Sequence, residues 1–398
     1  MINKRLHGLT HWTQQLPLVT LGIILLNVLV AVFTRNSMDT VPIDYGLVPG
    51  QLSLSRLFTS NFLHDGPVHL TLNMLLLYVF GRDVERVLGK LKYLFFYLGA
   101  CLAGAIIHTL VVFAALPPYY ALLPVIGASG AVAGVVGLYA VRFHRRTFHF
   151  GGMELPALFV IMCWLAFQLV LGVAGLYMDD VYGMSIKLVS WWSHLGGFAF
   201  GIGIALLGNQ ALQGECEYLL AKARDDYERG NLPEAAGEYE TLLKYDPDNP
   251  IVYAELGRLW GILGEDLHSI SYYHTAIELY ICKGREQEAL AVVDEMKEAW
   301  PETALSTATQ LHLASYLTDT GQTPQAIQAF RQIVEDNPDS AEAQISLLKI
   351  GQLQLTALND PSAAVETLST FLDRYPNSKW HDSAQQTLLK AKETSTQA

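Results

Sequence analysis

The feature that most limits what this chain can fold into is a series of long apolar stretches in its first half. A bilayer core about 30 Å thick takes roughly 20 residues of helix, and its interior offers no water to a bare backbone, so such stretches must be helical. Six spans are expected: residues 16–33, a second from about 69 through the helical continuation "RDVERVLG", 93–116, the short "GASGAVAGVVGLYAV", 155–177 and about 191–207. The first lacks a small-residue cleavage site and its 18 residues exceed a signal-peptide core, so it is read as retained.

The distribution of Lys and Arg orients the spans. With the N-terminus inside, the cytoplasmic segments hold Lys4, Arg5, Arg82, Arg86, Lys90, Lys92, Arg142, Arg145 and Arg146, and the outer loops only Arg35, Arg56 and Lys187. Nine against three favours that orientation, and an even number of spans returns residues 210–398 to the cytoplasm. Asp179 and Asp180 fit a solvated outer loop, and Trp191 and Trp192 an interfacial aromatic anchor.

Charge separates the two halves. Of 26 Lys and Arg and 38 Asp and Glu, residues 1–209 hold 12 and 8, which leaves 14 and 30 for residues 210–398. The halves therefore carry +4 and −16, and two domains are expected, 1–209 and 210–398. No basic patch with interleaved aromatics occurs, so nucleic acid is not an expected partner. Cys101, Cys163, Cys216 and Cys282 show no paired or C-x-x-C spacing, so buried thiols are the better reading than a disulfide framework or a zinc site.

Spans two, four and six all enter from the outer face, so the polar residues at their starts share one depth: His69 and Asn73, Ser129, and His194. Polar groups inside a membrane are costly and face the bundle or a cavity, which makes each a functional candidate. Ser129 lies between Gly127 and Gly130 at a helix start, where glycine permits a sharp turn and free N–H groups favour an oxyanion. Alone, the stretch reads as well as a small-residue packing face, since Gly130 and Gly134 form G-x-x-x-G. His194 precedes a second such pair, Gly197 and Gly201, so spans four and six can approach closely enough for a Ser–His hydrogen bond. His194 could then act as general base, or simply bond a neighbouring carbonyl. His69 and Asn73, four apart on one helix face, could donate to an oxyanion, bind a metal or glue helices together. No ligand carboxylate shares their depth and H-E-x-x-H is absent, so neither metal nor cofactor is expected. Spans four and six contain no Asp or Glu, so the chemistry would run as a dyad. His108 reads as a packing histidine.

These residues, "NFLHDGPVHLTLNM", "GASG" at 127–130 and "HLGGFAFG" from His194, resemble the rhomboid intramembrane serine proteases over about residues 10–208. The resemblance implies an all-α, six-span bundle with Ser129 as nucleophile and His194 as base. It implies an oxyanion hole from His69, Asn73 and the Ser129 N–H beside Gly127, with His64 in a supporting role, and Glu85 in packing. It further implies a serine endopeptidase acting on membrane-protein segments; a bacterial plasma (inner) membrane is the expected location, with both termini cytoplasmic by the charge distribution. One departure is Ser55 before Arg56, where the family often has Trp. A helical substrate would have to unwind before attack, and small residues at the cut are implied by the family.

The second half shows helix-period patterns with recurrent turns. Gly230 to Gly264 is 34 residues, the tetratricopeptide (TPR) period, and related copies follow at 283–303, 320–340 and 359–378. These resemble TPR repeats and imply a soluble α-solenoid that binds a protein or peptide partner; an ordinary helical bundle is the alternative. Two other functions stay in view for the whole chain: a catalytically silent rhomboid-like scaffold or chaperone, and a small-solute transporter. The transporter fits less well, because the polar groups cluster at one depth.

Overall fold

The computed structural model describes residues 16–177 and 191–397. Lys4, Arg5, Asp179, Asp180 and Lys187, used above for topology, lie outside the described residues. The chain divides into two compact units, residues 1–218 and 219–398.

In the first unit six long helices follow in order: α1 (Leu18–Thr34), α2 (Gly66–Leu88), α3 (Lys90–Ala115), α4 (Ser129–Arg142), α5 (Ala157–Tyr177) and α6 (Trp191–Leu207). A seventh, α7, runs Gln210–Glu228. By length and composition α3 is able to cross a membrane, and α6 passes that test only together with α7. Helices α1, α4 and the described apolar part of α5 are shorter apolar helices. The long α2 carries Arg82, Asp83, Glu85 and Arg86 in its last two turns.

Helix α4 is the centre. It is apolar or glycine all round until Tyr139, and Gly130 through Ala140 are buried without exception, the pattern of a helix with neighbours on every side. It packs against α2, α3 and α6, while α1 rests on α2 and α5 on α6. Glycine sets the α4–α6 separation. A Cβ at Gly197 would overlap the Gly130 carbonyl oxygen, one at Gly201 that of Gly134, and one at Gly137 that of Phe198. Ser193 of α6 fits the notch between α3 and α4, where a Cβ on Gly104 or Gly130 would lie 2.7 or 2.5 Å from its Oγ.

The far end of α4 is bound by charge. Arg146 and Arg86 each reach the buried Asp83, at 2.7 and 3.2 Å. Arg142 pairs with Glu217 at 2.5 Å, and Arg145 with Glu215 at 3.0 Å. At the start of α1, Glu85 accepts from Val19 N (3.0 Å), Thr20 N (2.8 Å) and Thr20 Oγ1 (2.7 Å), satisfying N–H groups that a helix cannot satisfy itself. A packing role for Glu85 accords with those bonds.

One element was not expected in an all-helical first half. Strands β1 (Thr147–Phe150) and β2 (Met153–Pro156) form an antiparallel hairpin between α4 and α5. Its two-residue turn is Gly151–Gly152, with φ of +55° and +91°, and two positive φ values in succession suit the twist of a tight hairpin.

The second unit is helical: α8 (Leu232–Leu243), α9 (Pro250–Ile262), α10 (Asp266–Cys282), α11 (Glu286–Ala299), α12 (Thr307–Asp319), α13 (Thr323–Asp336), α14 (Ala341–Thr356), α15 (Pro361–Arg374) and α16 (His381–Gln397). Each packs on its neighbour in sequence, the one-dimensional pattern of a repeat array. Arg258 of α9 meets Glu295 of α11 through two nitrogens and Glu255 at 2.7 Å, and Tyr273 of α10 donates to the same Glu295 at 2.9 Å. The Glu295 carboxylate thereby ties three successive helices.

Two stability predictions follow from this packing. Gly201→Ala, which meets backbone, should cost about 1–3 kcal/mol and lower the melting temperature in detergent. Gly203→Ala, with nothing within 4 Å, should be neutral or slightly stabilising; equal effects would mean that the α4–α6 contact does not govern stability. Glu85→Ala should cost about 2–3 kcal/mol by leaving donors at the start of α1 unpaired, read in the same melting assay, with Thr20→Ala losing less.

Candidate functional site

The loop that delivers Ser129 is pinned by main-chain hydrogen bonds. Leu47 and Val125 exchange both bonds, at 2.9 and 2.8 Å, and Gly127 N donates to Ser60 O at 2.9 Å. Gly127 then turns with φ +127°, a conformation that glycine alone adopts without strain, and Ser129 begins α4. That glycine has a second use. A Cβ there would lie 2.9 Å from His69 Cε1, so only hydrogen lets the imidazole come up to the turn.

His194, in the first turn of α6, meets the serine. Its Nε2 lies 2.6 Å from Ser129 Oγ, and its Nδ1 lies 2.7 Å from Gln168 Oε1 on α5. His194 and Gln168 are buried, whereas Ser129 is only partly covered. Trp191 sits edge-to-face against the His194 ring, centroids 5.8 Å apart. On α2, His69 is half-buried, and one turn further Asn73 is buried with its Nδ2 making no hydrogen bond within the protein. His64 packs its ring edge-on to His69 at 5.0 Å. Burial, and next the neighbouring His69, push the His64 imidazole down to about 4, so it is uncharged at neutral pH.

The structure therefore brings Ser129, His194, Gly127, His69 and His64 together, with Asn73 one turn along α2. Gln168 is not among the residues expected from the sequence, where a third partner is considered only as an Asp or Glu in spans four and six. The signal was present all the same: Gln168 is the one amide in the apolar run "FVIMCWLAFQLVLG", and a polar residue in such a run is a candidate by its cost. His108 is buried in α3. Among the described residues no group of His, Cys, Asp and Glu is arranged to hold a metal ion.

Chemically, a serine hydroxyl hydrogen-bonded to an imidazole whose other nitrogen is held by an acceptor is an activated-nucleophile arrangement. The start of a 14-residue helix adds backbone N–H groups beside it.

Comparison with known proteins defines the class. Residues 51–210 match the rhomboid domain, residues 223–259 a TPR repeat, and residues 308–340 and 346–378 the tetratricopeptide repeat. The chain thus joins a rhomboid domain to tetratricopeptide repeats. Rhomboid protease GluP of Bacillus subtilis (strain 168) is 40% identical over 95 residues, 23% of this chain and 17% of that protein. RHOMBOID-like protein 4 of Arabidopsis thaliana is 30% identical over 155 residues, 38% of this chain and 34% of that protein. The chain thus spans about a third or less of the length of either relative. A solved TPR protein with an unusual peptide-binding site aligns with 44% of this chain and 90% of its own at 15% identity and a TM-score of 0.24.

Proposed function

We propose that the protein is an intramembrane serine endopeptidase whose first 209 residues cross the membrane six times and whose TPR unit binds a protein or peptide in the cytoplasm. The observation that carries the reading is the 2.6 Å separation of Ser129 Oγ and His194 Nε2 at the start of α4.

Depth supports it. The 14 residues of α4 span about 21 Å, shorter than a hydrocarbon core of about 30 Å. With Arg142 and its acidic partners at the cytoplasmic surface, Ser129 lies below the outer surface, at a depth that water must reach for hydrolysis. Both termini are then cytoplasmic, in a bacterial plasma (inner) membrane.

In the reaction, His194 Nε2 takes the Ser129 proton as Oγ attacks the carbonyl of a locally unwound transmembrane segment. The oxyanion accepts from the Ser129 N–H, His69 and Asn73. His194 returns the proton to the leaving amine, which departs with one half of the substrate. Water then attacks the acyl-enzyme by the same proton exchange, freeing the acid and restoring Ser129. His64 supports His69 through its edge-on ring contact. The acidic TPR unit suits a partner or a substrate tail of basic character.

Full-length protein in detergent should react with a fluorophosphonate and Ser129→Ala should not; wild type labelling no better than Ser129→Ala would support a silent scaffold instead. On a transmembrane substrate, Ser129→Ala and His194→Ala should each lose about 10³-fold or more in rate and the double variant little beyond that. Additive losses would mean that the two residues do not work as a unit.

A further inference from the structure

We propose that Gln168 is a positioning residue for this pair: its side-chain carbonyl holds the His194 ring in the tautomer that leaves Nε2 bare for the serine proton. The proposal rests on the reading of Ser129 as nucleophile.

An amide oxygen only accepts hydrogen bonds. With Oε1 of Gln168 2.7 Å from Nδ1, the ring proton sits on Nδ1, and Nε2, 2.6 Å from Ser129 Oγ, accepts from the hydroxyl. The reverse tautomer would put a hydrogen on Nε2 and take the base away. The amide is therefore directional: turned end for end, its NH₂ would face Nδ1 and select the inactive ring form.

The surroundings hold this contact. Gln168 is 6% exposed and His194 8%, so either group without its partner would be a buried, unpaired polar group. Phe167, next to Gln168 on α5, meets the ring of Trp191 at 6.4 Å, and Trp191 meets His194 at 5.8 Å. Adjacent residues of α5 thus grip Trp191 and His194 in the first turn of α6.

An amide also suits the place better than a carboxylate. A carboxylate would orient the ring equally well, but an ionised side chain inside a bilayer is costly. The amide supplies the acceptor with no net charge. When Ser129 gives up its proton, that proton goes to Nε2 and later to the leaving nitrogen, the Nδ1 hydrogen stays on the ring, and Gln168 neither gains nor loses one.

The test uses full-length protein in detergent, a fluorophosphonate probe and ring-¹⁵N histidine. Gln168→Met keeps the length and loses the acceptor; Gln168→Glu restores it. Gln168→Met should slow the maximal labelling rate about tenfold or more while half-saturation by the probe stays within about twofold. Gln168→Glu should recover most of that rate. The ¹⁵N spectrum should show His194 protonated at Nδ1 and bare at Nε2 in wild type, and mixed tautomers in Gln168→Met. Wild type that labels no faster than Ser129→Ala overturns the protease reading and the proposal with it. Wild type that labels normally, while Gln168→Met labels as fast with an unchanged ¹⁵N pattern, overturns the proposal alone. So does loss of labelling in both Gln168 variants with the wild-type tautomer intact in each, since that marks a structural role.

Discussion

The contact on which the first unit depends is backbone against backbone, where α6 lays Gly197 and Gly201 on the carbonyl oxygens of Gly130 and Gly134. Between two apolar helices with such small faces, close van der Waals contact supplies the attraction. Glycine makes that contact possible by removing the side chain that would hold the helices apart. The same closeness lets a histidine in the first turn of α6 reach a serine at the first residue of α4. Packing and the candidate chemistry therefore share one cause.

Ser129, His194 and Gln168 form a chain of three neutral groups contributed by α4, α6 and α5. Its polarity runs one way, from serine hydroxyl to imidazole to amide oxygen. Formal charge is kept at the other end of α4, where Asp83, Glu215 and Glu217 answer Arg146, Arg145 and Arg142. Ionic pairing where water reaches, and neutral hydrogen bonds where it is scarce, is the division that desolvation imposes.

The second unit holds itself together by different means. Its helices bury alternating large residues such as Tyr273, Met296, Phe330 and Phe371, each against the next helix in sequence. Glycines 230, 264, 284 and 321 take positive φ at turns, and Asn359 takes φ +52° between α14 and α15. The later copies, whose starts at 283, 320 and 359 lie more than 34 residues apart, leave that local rule intact, because each turn answers only to the two helices it joins.

Much of this was legible in the sequence because the signals are local or periodic. The apolar stretches marked α1 to α6 within a few residues, the 34-residue interval marked the repeats, and the glycine pairs beside Ser129 and His194 pointed to a close helix contact. The hairpin is not among the expected elements, although Gly151–Gly152 between two short β-prone runs is a hairpin signal. Gln168 stands out as the one amide in its apolar run, but nothing in sequence links it to a ring nitrogen 26 positions later. By itself, the sequence determined which segments are helices, which faces are small, and which polar groups lie near span starts, since those follow from side-chain size and period. Only the tertiary structure decided which of those groups touch and which ring nitrogen faces which partner, because a hydrogen bond depends on tenths of an ångström that only the packed neighbours set.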